Sequence, residues 1–214
     1  PPLVVPLRDI PVERLGGEVE HLISHSFAEY LKTARDDVRV LLGRFRHVDA
    51  AQKVVGVGSV GTRCAILLLQ GADERDLLFL QIKEARASVL ERYLAPSTYA
   101  HPGHRVVNGQ RLMQGASDPF LGWGDGPLGR HFYWRQLRDW KGSAPIDKMT
   151  PEVMTRYGAV CGWALAKAHA RAGDRIALAA YMGSSERFED ALVRFACAYA
   201  DQNERDYAAF EAVH

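Results

Sequence analysis

A chain of 214 residues with 47% hydrophobic content is long enough for one large domain or two small ones around a buried core. Its 27 basic side chains nearly balance its 26 acidic ones, and no basic run is long enough to follow a nucleic acid or an anionic membrane, so neither is an expected partner. No segment reaches membrane-span length, and the three cysteines, Cys64, Cys161 and Cys197, are odd in number and set in apolar stretches; these features predict a cytoplasmic protein with buried free thiols.

The first dozen residues hold four prolines, which forbid a helix and predict an extended arm or linker over residues 1–17. The start, "PPLVVPLRDI", has neither a signal-peptide layout nor an initiator Met, and reads as a piece of something longer. From Glu18 the apolar residues Val19, Leu22, Ile23, Phe27, Tyr30 and Leu31 recur at helical steps. Val38, Leu41, Leu42 and Phe45 do the same after the charged break "ARDD", so residues 18–50 read as a helical segment. "CAILLL" (64–69) and "LLFLQI" (77–82) are short apolar runs around the polar turn "QGADERD", a predicted hairpin. "EARASVLERYL" and "RVVNGQRLMQGAS" read as helices with the loop "APSTYAHPGH" between them, and "FLGWGDGPLG" with "HFYWRQL" reads as a second hairpin. These place a sheet lobe at 51–145. The remainder, 146–214, is predicted helical. Thr150 and Pro151 open one helix, with the stripe Val153, Tyr157, Val160, Cys161, Ala164, Leu165 and Ala168 and a stop at Gly173. Phe188, Leu192, Phe195 and Tyr199 mark a last helix. The expected class is α+β: a small antiparallel sheet flanked by helices before and after.

Near the start of the sheet lobe lies "VVGVGSVGTR" (54–63), with Gly56, Gly58 and Gly61 in GxGxxG spacing. A dinucleotide fold needs a helix to begin inside that motif, and a strand-like run follows instead. A Walker loop needs Gly-Lys-Ser/Thr where this chain has Gly61-Thr62-Arg63. The third use is a turn between antiparallel strands that covers nucleotide phosphates, with a lysine on the strand beyond. Lys83, at the end of "LLFLQIK", supplies that lysine, and backbone amides with one ammonium would oppose the phosphate charge. By alternation Lys83 shares a strand face with Gln81 and Phe79 and not with Ile82 or Leu80. The plainer alternative is a hairpin turn and a solvated lysine.

The strings "KVVGVGSVGTRC", "LFLQIKEARASVLE", "GQRLMQGASDPFLGW", "FYWRQLRDWKGS", "CGWALAKAHARAGD" and "FACAYADQNERDYAA" together resemble the C-terminal half of the bacterial domain-of-unknown-function family 2252. That resemblance implies a protein-kinase-like grouping: a sheet resembling a kinase N-lobe, as part of a circularly permuted kinase-like fold. It carries no established activity. Family members place "GDxHxxNFG" and "DFDE" strings upstream, like a kinase catalytic loop and metal-binding aspartate, and neither occurs in these 214 residues. The resemblance thus implies an ATP-binding lobe of a phosphotransferase with an unknown acceptor, with magnesium, and with Gly56, Gly58, Ser59, Gly61 and Lys83 at the nucleotide. A kinase lysine is held by a glutamate on the helix that follows. Glu91 is the available helical acid, Glu84 points to the other strand face, and Asn108 stands where the family often has an acid. The competing class is a non-catalytic binding or regulatory domain.

Other clusters have structural readings. "HARAGD" (169–174) mimics a catalytic His-Arg-Asp loop, but position 179 is Ala where that loop needs Asn, and its basic residues suit the end of a helix. His101 and His104 form a possible metal pair with no further ligand close in sequence. Arg135, Arg138, Asp139 and Lys141 beside Trp134 and Trp140 read as purine or phosphate contacts, or as a charged strand exit. "ADQNERD" is a solvated helix face.

Overall fold

The computed structural model describes residues 12–14, 17–53, 61–137 and 142–213. They form six strands, β1 (Val12–Arg14), β2 (Arg46–Lys53), β3 (Cys64–Gln70), β4 (Leu77–Ala85), β5 (Gly122–Asp125) and β6 (His131–Gln136). Six helices accompany them: α1 (Gly17–Thr33), α2 (Asp36–Leu42), α3 (Pro102–Met113), α4 (Pro151–Ala172), α5 (Arg175–Met182) and α6 (Arg187–Glu211). The chain divides into two units, Pro1–Ala164 and Leu165–His214.

In the first unit the strands make one antiparallel sheet in the order β1-β2-β3-β4-β6-β5. The two predicted hairpins are present. The turn joining β3 to β4 closes on its own carboxylates: Asp76 accepts from the Ala72 amide at 2.9 Å, and Asp73 from the Arg75 amide at 2.8 Å. Aspartates suit such turns because their short side chains reach amides two to four residues away. β2 begins at Arg46, inside the stretch read as helical, because the alternation of this half-buried strand was masked by the apolar residues just before it.

Helix α1 lays Ile23, Phe27, Tyr30 and Leu31 on the sheet, the i, i+4, i+7, i+8 stripe of an amphipathic helix. It meets Leu67, Leu69, Leu80, Ile82 and Trp134, while Val38 and Leu42 of α2 complete the core. Tyr30 is fully buried, stacks on Trp134 with ring centroids 4.9 Å apart, and donates its hydroxyl to the Phe120 carbonyl at 2.9 Å. Burial pushes that hydroxyl's pKa far up, so it stays a donor. α1 can come this close because β5 has glycines beneath it. A Cβ at Gly122 would lie 2.6 Å from the Tyr30 ring, and one at Gly124 would lie 2.8 Å from the Tyr30 backbone nitrogen. Thr33 then pins the β5 backbone, donating to the Trp123 carbonyl and accepting from its amide at 2.8 Å.

Two predicted helices shift. "EARASVLERYL" extends β4 to Ala85 and then forms only a single 3-10 turn, Val89–Arg92. α3 starts earlier than expected, with His101 as its cap and Pro102 in its first turn, the position where a proline's missing N–H costs nothing.

The second unit contains the end of α4, then α5 and α6. α4 stops at Ala172, just before Gly173, and Asp174 caps α5 by accepting from the Ile176 and Ala177 amides at 3.0 Å each. The predicted stripes are there in register but are largely exposed: Leu192, Phe195 and Tyr199 are each more than half exposed, whereas Ala168 is buried and Phe188 half-buried. Cys64 is buried as expected, whereas Cys161 is half-buried and Cys197 exposed; none of the three forms a disulfide. Among the described residues no helix is long and apolar enough to cross a membrane.

Candidate functional site

The register across the sheet separates its two faces. Cys64 pairs with Lys83, Lys83 with Tyr133, and Tyr133 with Trp123, so these four side chains form one row across β3, β4, β6 and β5. Trp123 is stacked by His104 of α3, ring centroids 4.0 Å apart, which identifies this as the α3 face. The neighbouring row, Ala65, Ile82 and Trp134, belongs to the α1 face, since Trp134 stacks on Tyr30. Lys83 thus projects away from the main core, as its alternation with Ile82 predicts.

Lys83 is half-buried at the centre of this α3 face. One position along, Ile66, Gln81 and Arg135 form the next row of the same face. Gln81 is buried and donates to the Cys64 sulfur at 3.4 Å, fixing the wall beside the lysine. Burial raises the Tyr133 hydroxyl above its ordinary pKa, with the Arg135 charge acting against it, so Tyr133 stands beside Lys83 as a neutral donor. Among the described residues no carboxylate lies within ion-pair distance of Lys83 or Arg135. Two cations on one sheet face, a neutral hydroxyl and a buried amide make a surface suited to an anion.

The other predicted site residues are placed unevenly. Gly56, Gly58 and Ser59 lie outside the described residues, as do Arg138, Asp139, Trp140 and Lys141. Gly61 is described, with φ of +75°, a left-handed conformation that only glycine adopts without strain. Its carbonyl accepts from Arg86 Nη2 at 2.5 Å, which ties the end of the glycine stretch to the strand end after Lys83. Glu91 is not on a long helix: its carboxylate accepts from the Ser88 amide at 3.3 Å, closing a capping box around the 3-10 turn. Glu84 points to the α1 face, as expected. Helix α3 carries Asn108 and no acidic residue at all. Asp174 of "HARAGD" is the α5 cap, and His169 lies in the last turn of α4.

The His101–His104 pair does not act together. His104 leaves to stack on Trp123, and two residues distant in sequence, Asp125 and His131, take its place beside His101. Asp125 Oδ1 accepts from His131 Nδ1 at 2.8 Å and from His101 Nε2 at 3.2 Å. His101 Nδ1 meanwhile accepts from the Gly103 and His104 amides at 3.0 and 3.3 Å, capping α3. A ring nitrogen that accepts carries no proton, so the His101 proton sits on Nε2, the same atom a metal would need. The cluster is therefore a hydrogen-bonded clasp between the α3 cap and the β5–β6 hairpin. Burial lowers the His101 pKa, aided by the nearby His131 and opposed by Asp125. Sequence reading missed this clasp because Asp125 and His131 are matched only by the strand register.

The chain matches the family described as "Uncharacterized protein conserved in bacteria (DUF2252)" over residues 1–213. No curated protein and no solved structure matches it. The chain belongs to the DUF2252 family.

Proposed function

We propose that this DUF2252 member provides the nucleotide-binding lobe of a kinase-like phosphotransferase, with Mg·ATP as ligand and an unidentified acceptor. The observation that carries this reading is Lys83, half-buried on the α3 face between Cys64 and Tyr133, with no described carboxylate to neutralise it. The order of parts supports it: a glycine-rich connection between antiparallel strands β2 and β3, a lysine on β4, then the helix α3 on the lysine's face. Kinases set out their glycine loop, lysine strand and αC helix in that order. The glycines Gly56, Gly58 and Gly61 with Ser59 cover the phosphates in this reading, Lys83 pairs with them, and Arg135 adds charge from the next row. Transfer itself needs a metal-holding acid and a base. The family resemblance assigns these to "GDxHxxNFG" and "DFDE" strings that the 214 residues do not contain, so this chain binds nucleotide and does not turn it over.

A second reading, a non-catalytic binding domain on the same scaffold, draws on α3. A kinase holds its lysine with a glutamate from that helix, and α3 has none.

Thermal-shift and calorimetric titration with Mg·ATP, run on this chain and on Lys83→Ala, tests the proposal. Binding to the folded state raises apparent stability by mass action, so a shift present in the parent and absent in the variant is expected. No shift in a folded parent, or an equal shift in both proteins, overturns the assignment of Lys83.

A further inference from the structure

The sheet face opposite Lys83 holds a cavity of about 340 Å³ between the first half of α1 and the strands, a volume within the range of small-molecule sites. Its walls are apolar, formed chiefly by Ile23 of α1, Ile82 of β4 and Phe132 of β6. Four polar side chains line it, Ser26, Gln52, Arg63 and Arg130. Ser26 lines it from α1; this side chain is only 5% exposed and its hydroxyl has no hydrogen-bond partner among the described residues. Arg63 and Arg130 line it from the sheet end. A buried hydroxyl left without a partner costs stability, and a cavity wall is a place where a ligand would satisfy it.

The charge at that end is unbalanced. Glu84 accepts from Arg86 Nε at 2.8 Å, Arg130 Nη1 at 3.2 Å and the Arg63 amide at 3.1 Å. Burial raises the Glu84 pKa, but the Arg86 hydrogen bond, the Arg63 amide and the charges of Arg86 and Arg130 outweigh it, and the carboxyl stays below its ordinary range. One ionised carboxylate thus serves two guanidiniums. The third, that of Arg63, has no carboxylate partner among the described residues. The Nε of Arg130 is buried and also lacks a hydrogen-bond partner among the described residues. At the rim Leu128 has φ of +60° and is 89% exposed, an apolar side chain held in a strained backbone conformation beside an apolar cavity.

We propose that this cavity binds a small amphipathic monocarboxylate. The apolar tail lies against Ile23, Ile82 and Phe132 with Leu128 over it, and the carboxylate sits at Arg63 and Arg130. The Ser26 hydroxyl donates to the ligand. Guanidinium forks match a carboxylate's two oxygens, and the mostly apolar walls match an alkyl tail better than a strongly hydrated phosphate head. The site is separate from Lys83, because Ile82 and Lys83 point to opposite faces of β4.

The test is a titration of the 214-residue chain with decanoate below its micelle concentration, followed by calorimetry and by amide chemical shifts. Decanol, which has the same chain without the charge, is the control. Saturable one-site binding of decanoate is expected, with shifts at Ser26, Ile82 and Phe132 and clearly weaker binding of decanol. Arg63→Gln, at an exposed position, is expected to weaken decanoate at least about tenfold, the scale of a charge-assisted hydrogen bond. Ser26→Val removes the orphan hydroxyl, so it is expected to melt no lower than the parent while binding decanoate more weakly. Lys83→Ala is expected to bind decanoate like the parent. Equal binding of decanol, no saturable binding, or indifference to Arg63→Gln overturns the proposal.

Discussion

The sheet unit and the helical stretch after it use similar side chains to opposite effect. In the first, Trp134, Tyr30, Leu67, Leu69 and Leu80 are shut away from solvent, each in contact with elements distant in sequence. In the second, Ile176, Tyr181, Phe195 and Tyr199 stand in clean helical register and are 59–81% exposed. Periodicity states which face of an element is fit to be buried; only another element of matching shape buries it. The stability of the sheet unit therefore comes from packing, while that of α5 and α6 rests more on caps, propensity and sparse contacts such as Tyr181 of α5 against Phe188 of α6, ring centroids 6.1 Å apart.

The largest effect that sharpens this contrast is expected from Trp134→Ala. It should cost about 3–5 kcal/mol, as truncations of buried aromatics do, whereas Phe195→Ala should stay within about 0.5 kcal/mol. Urea unfolding of both variants measures the difference, and comparable losses would break the comparison. Next comes Thr33→Val, which keeps the shape but leaves both polar groups of the Trp123 backbone without their partner, for about 1–3 kcal/mol. Its loss should appear in the same unfolding curves and in faster exchange of the Trp123 amide.

A smaller change is expected in the helical stretch from Asp174→Ala. Removing that cap should cost about 1 kcal/mol of local helix stability, read as faster exchange of the Ile176 and Ala177 amides with β3 and β4 unaffected.

The smallest effect concerns the clasp at His101, which faces Asp125, His131 and His104. Its folded pKa is depressed, so below the ordinary histidine value of about 6.5 the unfolded chain binds the extra proton first. The clasp's contribution is complete above that value and is lost as the pH falls through the folded pKa. Protonation places a proton on Nδ1 against two amide donors, so the Gly103 and His104 amides should lose protection in acid. His101→Asn, which still offers a capping acceptor but does not titrate, should flatten that dependence.

Much of the sheet was legible in the sequence because alternation and turn chemistry are local. "CAILLL" and "LLFLQI" became β3 and β4, and the aspartates of "QGADERD" close the turn themselves. The α3 start was legible too, in the His-Pro pair at 101–102, but the helix was read only from Arg105. Glu91 was misplaced because Ser88 and Glu91 spell a capping box, a signal for a helix start that here heads one 3-10 turn. The Lys83 face followed from period-2 alternation. What lies on it, Tyr133, Arg135 and Trp123, depends on a strand pairing that joins residues 50 apart in sequence, as Lys83 and Tyr133 are. The cavity on the opposite face combines α1 with β4 and β6, which no local pattern announces.

The bonds from Tyr30 to Phe120 and from Thr33 to Trp123 each span 90 residues of sequence. On a ribosome α1 would emerge long before the strand that receives it, and its apolar stripe would wait in the nascent chain while nearly the whole sheet is made. Contacts of such sequence separation slow folding and leave sticky surface exposed meanwhile.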